Sequence, residues 1–217
     1  MKFLLNYLLL LGLLASYGHI KAQEKFTFHF GPVIPTSDFA DDDIYDEQSG
    51  LAAIGLDVGV KYLNPLQGNG LGIFAGADLI YNPWNKDAKD MWDDEDVKSF
   101  PKYLTIPLSG GLQYSYEMDT ETAIYGRFGL AFSFSKLTNL KWDEGDKYTY
   151  DLATGFGFLI GGGVRLNDKL ELDLTYMGLG EHNFDIEYVD EDGNKDEEGK
   201  AEINMTLVTL TVGFNLN

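Results

Sequence analysis

The chain has 217 residues, 35 acidic against 16 basic, a formal net charge of −19 at pH 7 and no cysteine. That excess of negative charge argues against nucleic acid as a partner, because phosphate backbones would repel it. The missing cysteines exclude disulfides, thiolate metal sites and a lipid-modified N-terminal cysteine.

Residues 1–22 read as a secretory signal peptide: Lys2, then an apolar run through Leu14 and Ala15, then a short polar exit ending at Ala22 before Gln23. The competing reading is an anchoring helix. Asn6 interrupts the run and it fades within about 15 residues, short of the roughly 20 needed to span a bilayer. Residues 23–217 are expected to form one domain, more acidic still once Lys2 and Lys21 are removed. No later segment forms a long uninterrupted apolar helix, so membrane entry has to be as a closed barrel, which satisfies every backbone hydrogen bond without helices.

In chain order, period-two patterning gives eight segments with one apolar and one small or polar side. The first sets Phe26, Phe28, Phe30 and Ile34 against Thr27, His29 and Gly31. Next, Ile54, Leu56, Val58, Val60 and Tyr62 oppose Ala53, Gly55, Asp57, Gly59 and Lys61. Ile73, Leu79 and Tyr81 then face away from Phe74, Gly76 and Asp78, and Leu104, Ile106, Leu108 and Leu112 from Tyr103, Thr105, Ser109 and Gln113. The fifth opposes Ile124, Phe128, Leu130, Phe132 and Phe134 to Tyr125, Arg127 and Ser133. The sixth places Tyr150, Leu152, Phe156, Phe158, Ile160 and Val164 opposite Asp151, Gly155 and Arg165. In the seventh, Leu170, Leu172, Leu174 and Tyr176 oppose Glu171, Asp173 and Thr175. The eighth sets Val208, Leu210, Val212, Phe214 and Leu216 against Thr209, Thr211 and Gly213, and is expected to close the sheet by pairing with residues 26–34.

The connections alternate. Short ones fall near 64–69, 118–120 and 167–169; long ones span about 35–49, 82–99, 136–147 and 179–202 and carry about 25 of the 35 acidic residues. This alternation fits an outer-membrane barrel, whose periplasmic turns are short and extracellular loops long. Tyr81 and Trp84 at one level, and Tyr62, Tyr114 and Tyr116 at the other, read as interfacial girdles. The fold expected is therefore all-β, an eight-stranded antiparallel up-and-down transmembrane barrel with short periplasmic turns and long acidic extracellular loops. The alternative is a soluble lipocalin-like barrel with its faces exchanged, which would turn Phe128, Phe132, Phe156 and Phe158 inward on a ligand.

With the apolar sides toward lipid, His29, Asp57, Lys61, Asp78, Arg127, Arg165, Glu171 and Asp173 point into the lumen. Eight strands leave an interior just wide enough for side chains, so these charges should pair with one another as a structural network and not line a pore. The other reading is an ion path or proton site. A three-residue loop at 167–169 predicts Arg165 opposite Glu171, with Asp173 nearby. His29 and His182, expected in the lumen and in a loop, have no nucleophile motif beside them, so no catalytic residue and no cofactor is expected. Asp190, Asp192 and Asn194 have the one, three, five spacing of a calcium loop, but Lys195 stands where Gly is needed and Ala201 where the closing Glu belongs. The same residues suit a hairpin tip whose arms include Phe184, Ile186 and Tyr188. Asp41, Asp42 and Asp43, and residues 93–96, are expected at most to gather divalent cations loosely against lipopolysaccharide.

The first strand running into Gly31-Pro32 and then Pro35-Thr36-Ser37-Asp38-Phe39-Ala40, together with Tyr103-Leu104-Thr105-Ile106-Pro107-Leu108, resembles the small outer-membrane β-barrel proteins of Bacteroidota. These are PorT-like and akin to the eight-stranded OmpA and OmpX barrels. A proline inside a strand is unusual enough to give the second motif weight. The C-terminus departs from the terminal aromatic of proteobacterial barrels, since Phe214 is followed by Asn215-Leu216-Asn217. The resemblance implies outer-membrane residence and no established catalytic residues; the chain is expected to be a monomer in contact with lipid and lipopolysaccharide. The leading expectation is a non-enzymatic envelope protein acting in integrity, adhesion or surface binding through its acidic loops. The alternatives are an accessory part of a secretion or transport complex and a lipid-modifying enzyme.

Overall fold

A computed structural model describes residues 25–43, 48–66, 70–90 and 97–216; the expected signal peptide lies outside them. Among the described residues eleven strands run β1 (Lys25–Thr36), β2 (Gly55–Pro65), β3 (Leu71–Pro83), β4 (Val97–Ser99), β5 (Lys102–Glu117), β6 (Thr122–Leu137), β7 (Leu140–Trp142), β8 (Lys147–Tyr150), β9 (Leu152–Leu166), β10 (Leu170–Val189) and β11 (Lys195–Asn215). Eight of them, in the order β11-β1-β2-β3-β5-β6-β9-β10, close into an antiparallel ring through β10–β11 pairing. Closure leaves the ring without an unpaired edge.

Alternation along each strand sets its faces. Phe128, Leu130, Phe156, Leu174 and Leu210 lie exposed on the outside, and Thr105, Ser133, Thr175, Thr209 and Thr211 are buried on the inside. At the seam Phe28 faces Phe214 and Ile34 faces Val208, which is the closure expected of the last strand. Pro107 lies inward on β5, and the β3–β5 ladder lacks the pairs at Asp78 and Leu79 that would fall opposite Pro107 and Ile106. Proline has no N–H to give to a ladder.

Three of the four expected long loops contain further strand. β10 and β11 continue as a hairpin beyond the ring, and β8, β7 and β4 add to the outer side of β10 in that order. The pattern is lost in the sequence at one place. Leu179 is an extra residue in β10, bulged between Gly178 and Gly180, and Gly180 takes φ +79°. A single inserted residue reverses which parity points inward. Below the bulge Glu171, Asp173, Thr175 and Met177 face in; above it His182 and Phe184 do.

The interior is therefore stacked in layers. Ionic and hydroxyl side chains fill the ring's middle, and an apolar cap closes the end that carries the long connections. Phe39, Leu51, Ala52, Trp84, Ala88, Tyr103, Leu137, Leu179, Phe184, Ile203 and Met205 belong to that cap. The Tyr103 ring meets Phe39 edge-on with centroids 5.0 Å apart, and its hydroxyl donates to the Gly50 carbonyl at 2.8 Å. Trp84 thus belongs to the cap and not to an interfacial girdle, whereas Tyr114 and Tyr116 are exposed as expected. Tyr150 is likewise buried, on β8, and not part of the outward face of the sixth segment; strand pairing breaks at Asp151 before β9 begins.

Candidate functional site in the barrel lumen

The 167–169 turn decides what the lumen contains. Asn167 and Asp168 both adopt left-handed backbone, at φ 51° and 53°, which is the geometry of a tight hairpin between twisted strands. Leu166 then pairs with Leu170 and Arg165 with Glu171. Arg165 Nε donates to Glu171 Oε1 at 3.0 Å, and Lys61 Nζ, from across the barrel, donates to Oε2 at 2.6 Å. Asp173 accepts from Arg127 at 2.8 Å and from the Tyr125 hydroxyl at 2.7 Å.

Tyr125 is the residue missing from the sequence-derived set. It has inward parity, yet an aromatic ring is not by itself a sign of an ionic site. Here its ring lies 4.8 Å from Lys61 Nζ and 5.8 Å from the Arg165 guanidinium, so one side chain supports two cations and ties a carboxylate. His29 Nε2 and Asp78 Oδ1 are 2.7 Å apart. All eight sequence-derived lumen residues thus lie in one interior. Asp57 differs from the others: it is 1% exposed and neither carboxylate oxygen has a hydrogen-bond partner. The expected mutual pairing of the charges does not extend to it.

Higher in the barrel, His182 sits against Ser133. Its Nδ1 donates to the Gly180 carbonyl at 3.0 Å, leaving Nε2 to accept from the Ser133 hydroxyl at 2.8 Å. His182 is therefore not a loop residue, and the bulge explains its misplacement. A hydrolytic triad needs a carboxylate behind the imidazole and a nucleophile open to substrate. This pair has a backbone carbonyl in that position and lies buried under the cap, so it is a packing contact.

Asp190, Asp192 and Asn194 form the tip of the β10–β11 hairpin. Asp190 accepts from the backbone N–H and the side-chain amide of Asn194, each at 2.8 Å. Those bonds hold its carboxyl below the usual range. Residues 93–96 lie outside the described residues.

A closed ring with an apolar exterior and a polar, filled lumen defines an integral barrel protein of the outer membrane. The chain belongs to the outer membrane protein beta-barrel domain family, whose model matches residues 7–217. Among solved structures it is similar to a major outer membrane protein from Thermus thermophilus, at 13% identity and TM-score 0.57, over 90% of this chain and 100% of that one. It is similar also to the outer membrane protein OprG from Pseudomonas aeruginosa, at 15% identity and TM-score 0.51, over 91% and 97%. Both likenesses concern the fold. No curated protein sequence matches the chain.

Proposed function

We propose that this is a closed, non-enzymatic outer-membrane protein that acts in envelope integrity or surface binding through the acidic crest at its capped end. The observation that carries this reading is the crest itself. β10 and β11 run past the ring, with Phe184 and Ile203 packed into the cap beneath, while Glu181, Asp192 and Glu202 point to solvent. A projection that buries an apolar underside is rigid, and a rigid acidic surface binds cationic groups with little ordering cost. The filled lumen supports the same reading, since ion pairs occupy its middle and the apolar cap its far end.

The test replaces residues 183–201 with a two-residue Asn-Gly turn, keeping the ring. The shortened protein should still show heat-modifiable migration on gels. Cells carrying it should lose adherence to cationic surfaces and admit more hydrophobic dye than cells with the full chain. Unchanged adherence and permeability would overturn the proposal, and stable single-channel conductance by the full protein in a planar bilayer would overturn its closed state.

A further inference from the structure

His29, Asp57 and Asp78 lie on β1, β2 and β3, with Gly59 between them. Gly59 pairs with His29 on one side and with Asp78 on the other, so the three positions form one row across the sheet. Inward side chains two strands apart are normally separated by the one in the middle. Here the middle position has no side chain, and His29 and Asp78 close over it to 2.7 Å. A β-carbon at Gly59 would overlap Asp78 Oδ1 and come within 2.6 Å of His29 Nε2. Asp57 is two residues before Gly59 on the same face. One donor atom from each of His29, Asp57 and Asp78 lies within 4.8 Å of the others.

The other charged side chains of the lumen make their contacts away from this cluster. Lys61 and Arg165 are engaged by Glu171, and Arg127 by Asp173 and Thr175. Among the described residues no lysine or arginine bridges Asp57 or Asp78. Two carboxylates in a low-dielectric interior repel one another, and an unpaired one is costly to bury. Both Asp57 oxygens are nonetheless buried and unpartnered, in a residue that is 1% exposed. The neighbouring cavity, lined by Thr27, His29, Lys61 and Glu171, has a volume of about 10 Å³, room for about one water molecule.

We infer that His29, Asp57 and Asp78 bind a divalent transition-metal ion of the zinc class. One imidazole nitrogen and two carboxylate oxygens are a zinc or manganese donor set, whereas calcium takes six to eight oxygens. A ligand sphere of that kind places donor atoms roughly 3–4 Å apart, so the ion replaces the 2.7 Å His29–Asp78 hydrogen bond by parting the two side chains slightly, and a small rotation of Asp57 brings in the third donor. The ion neutralises the two carboxylates and gives Asp57 its missing partner. It also fastens β1 to β2 and β3 beside the seam where β11 closes the ring.

The test uses the full protein extracted from outer membranes, stripped with a chelator, loaded with zinc chloride and dialysed. Bound zinc is measured by elemental mass spectrometry, and thermal stability by the temperature of the gel shift. The wild type should retain about one zinc per chain and melt higher when loaded. Asp57→Asn and His29→Gln should each lower retained zinc by at least about tenfold and abolish the thermal shift. Asp190→Asn, on the acidic crest, should change neither. Asp57→Asn removes a buried unpaired charge, so it should fold at least as well as the wild type. Zinc absent from the wild type, or equal in Asp57→Asn and the wild type, would overturn the inference. A wild type without zinc beside a more stable Asp57→Asn would overturn it in favour of a proton shared among the three side chains.

Discussion

Arg165 and Glu171 meet across the 167–169 turn with Nε and Oε1 3.0 Å apart, and that contact shares its carboxylate with Lys61 from the opposite wall. One glutamate thereby joins β9, β10 and β2 through the lumen. Its removal leaves two buried cations with no carboxylate. Breaking a buried pair from one side costs about 3–5 kcal/mol, because the surviving charge remains desolvated. Glu171→Gln should lower unfolding stability by about that amount, read from urea titrations followed by gel shift. Lys61→Met should cost less, because Arg165 still neutralises Glu171. Equal stability of Glu171→Gln and wild type would refute a stabilising role for the network.

A second contact at the same turn is sensitive to pH. Lys25 Nζ lies 2.7 Å from Asp168 Oδ1, clasping the start of β1 to the turn, and Asn215 donates to the Asp168 carbonyl at 2.8 Å. The hydrogen bond from Lys25 holds the Asp168 carboxyl below its ordinary value of 3.8. A depressed folded value means that the carboxylate stabilises the folded state above about pH 3.8 and that this contribution is lost as pH falls through the lower, folded value. Between pH 5 and pH 2.5, wild type should therefore lose more thermal stability than Asp168→Asn. The comparison cancels the other carboxylates. Parallel melting curves for the two proteins across that range would show that the clasp contributes nothing.

The ring was legible in the sequence because its strands alternate without interruption from Phe26 to Ile34 and from Leu104 to Leu108, and because lipid selects bulky apolar side chains on the outer parity. The turn at 167–169 was legible too, since its length dictates which residues face each other. What lay hidden has two physical causes. The Leu179 bulge inverts the parity of β10, so His182 reads as a loop residue and Phe184 only as the arm of a hairpin, although both are buried inside. The cap is built from side chains far apart in sequence, with Phe39, Trp84, Tyr103 and Phe184 contributed by four different segments. No periodicity within any one segment announces such a meeting. In the lumen, parity placed all eight charged residues inside, but it carries no information on which of them pair. Gly59, which has no side chain, leaves room for Asp78 to reach His29, while Asp57 stays outside the ion pairs.

The bulge gives a prediction of its own. Gly180 has φ +79°, and a β-carbon there would overlap the Phe156 carbonyl oxygen. Gly193, at the hairpin tip, has φ +84° but nothing within 4 Å. Left-handed backbone alone costs a non-glycine residue about 1–2 kcal/mol. Gly193→Ala should lose about that much or less, confined to the crest. Gly180→Ala should lose distinctly more, because the overlap forces β9 and β10 apart at the boundary between lumen and cap. Proteolysis of the crest in folded barrels, resolved by mass spectrometry, should rise for Gly180→Ala at 180–204 and for Gly193→Ala only near the tip. Identical cleavage patterns would show that the bulge is not needed to seat the cap.

The outward face makes the sharpest demand on its surroundings. Leu130 lies midway along β6 and is 54% exposed, whereas Met118, in the turn between β5 and β6, is 61% exposed. In water the two positions would be equivalent, and arginine at either would change stability by no more than a few tenths of a kcal/mol. In a bilayer they differ by depth: arginine costs about 2–4 kcal/mol at the midplane and about 0–1 kcal/mol near the interface. Leu130→Arg should therefore destabilise the barrel by about 2–4 kcal/mol in phospholipid vesicles while Met118→Arg leaves it nearly unchanged, measured by reversible urea unfolding. Exchanged faces, as in a soluble ligand-binding barrel, would make Leu130→Arg a buried charge in detergent-free buffer and the protein soluble without lipid. The depth dependence distinguishes these cases, because only a lipid slab makes two equally exposed side chains energetically unequal.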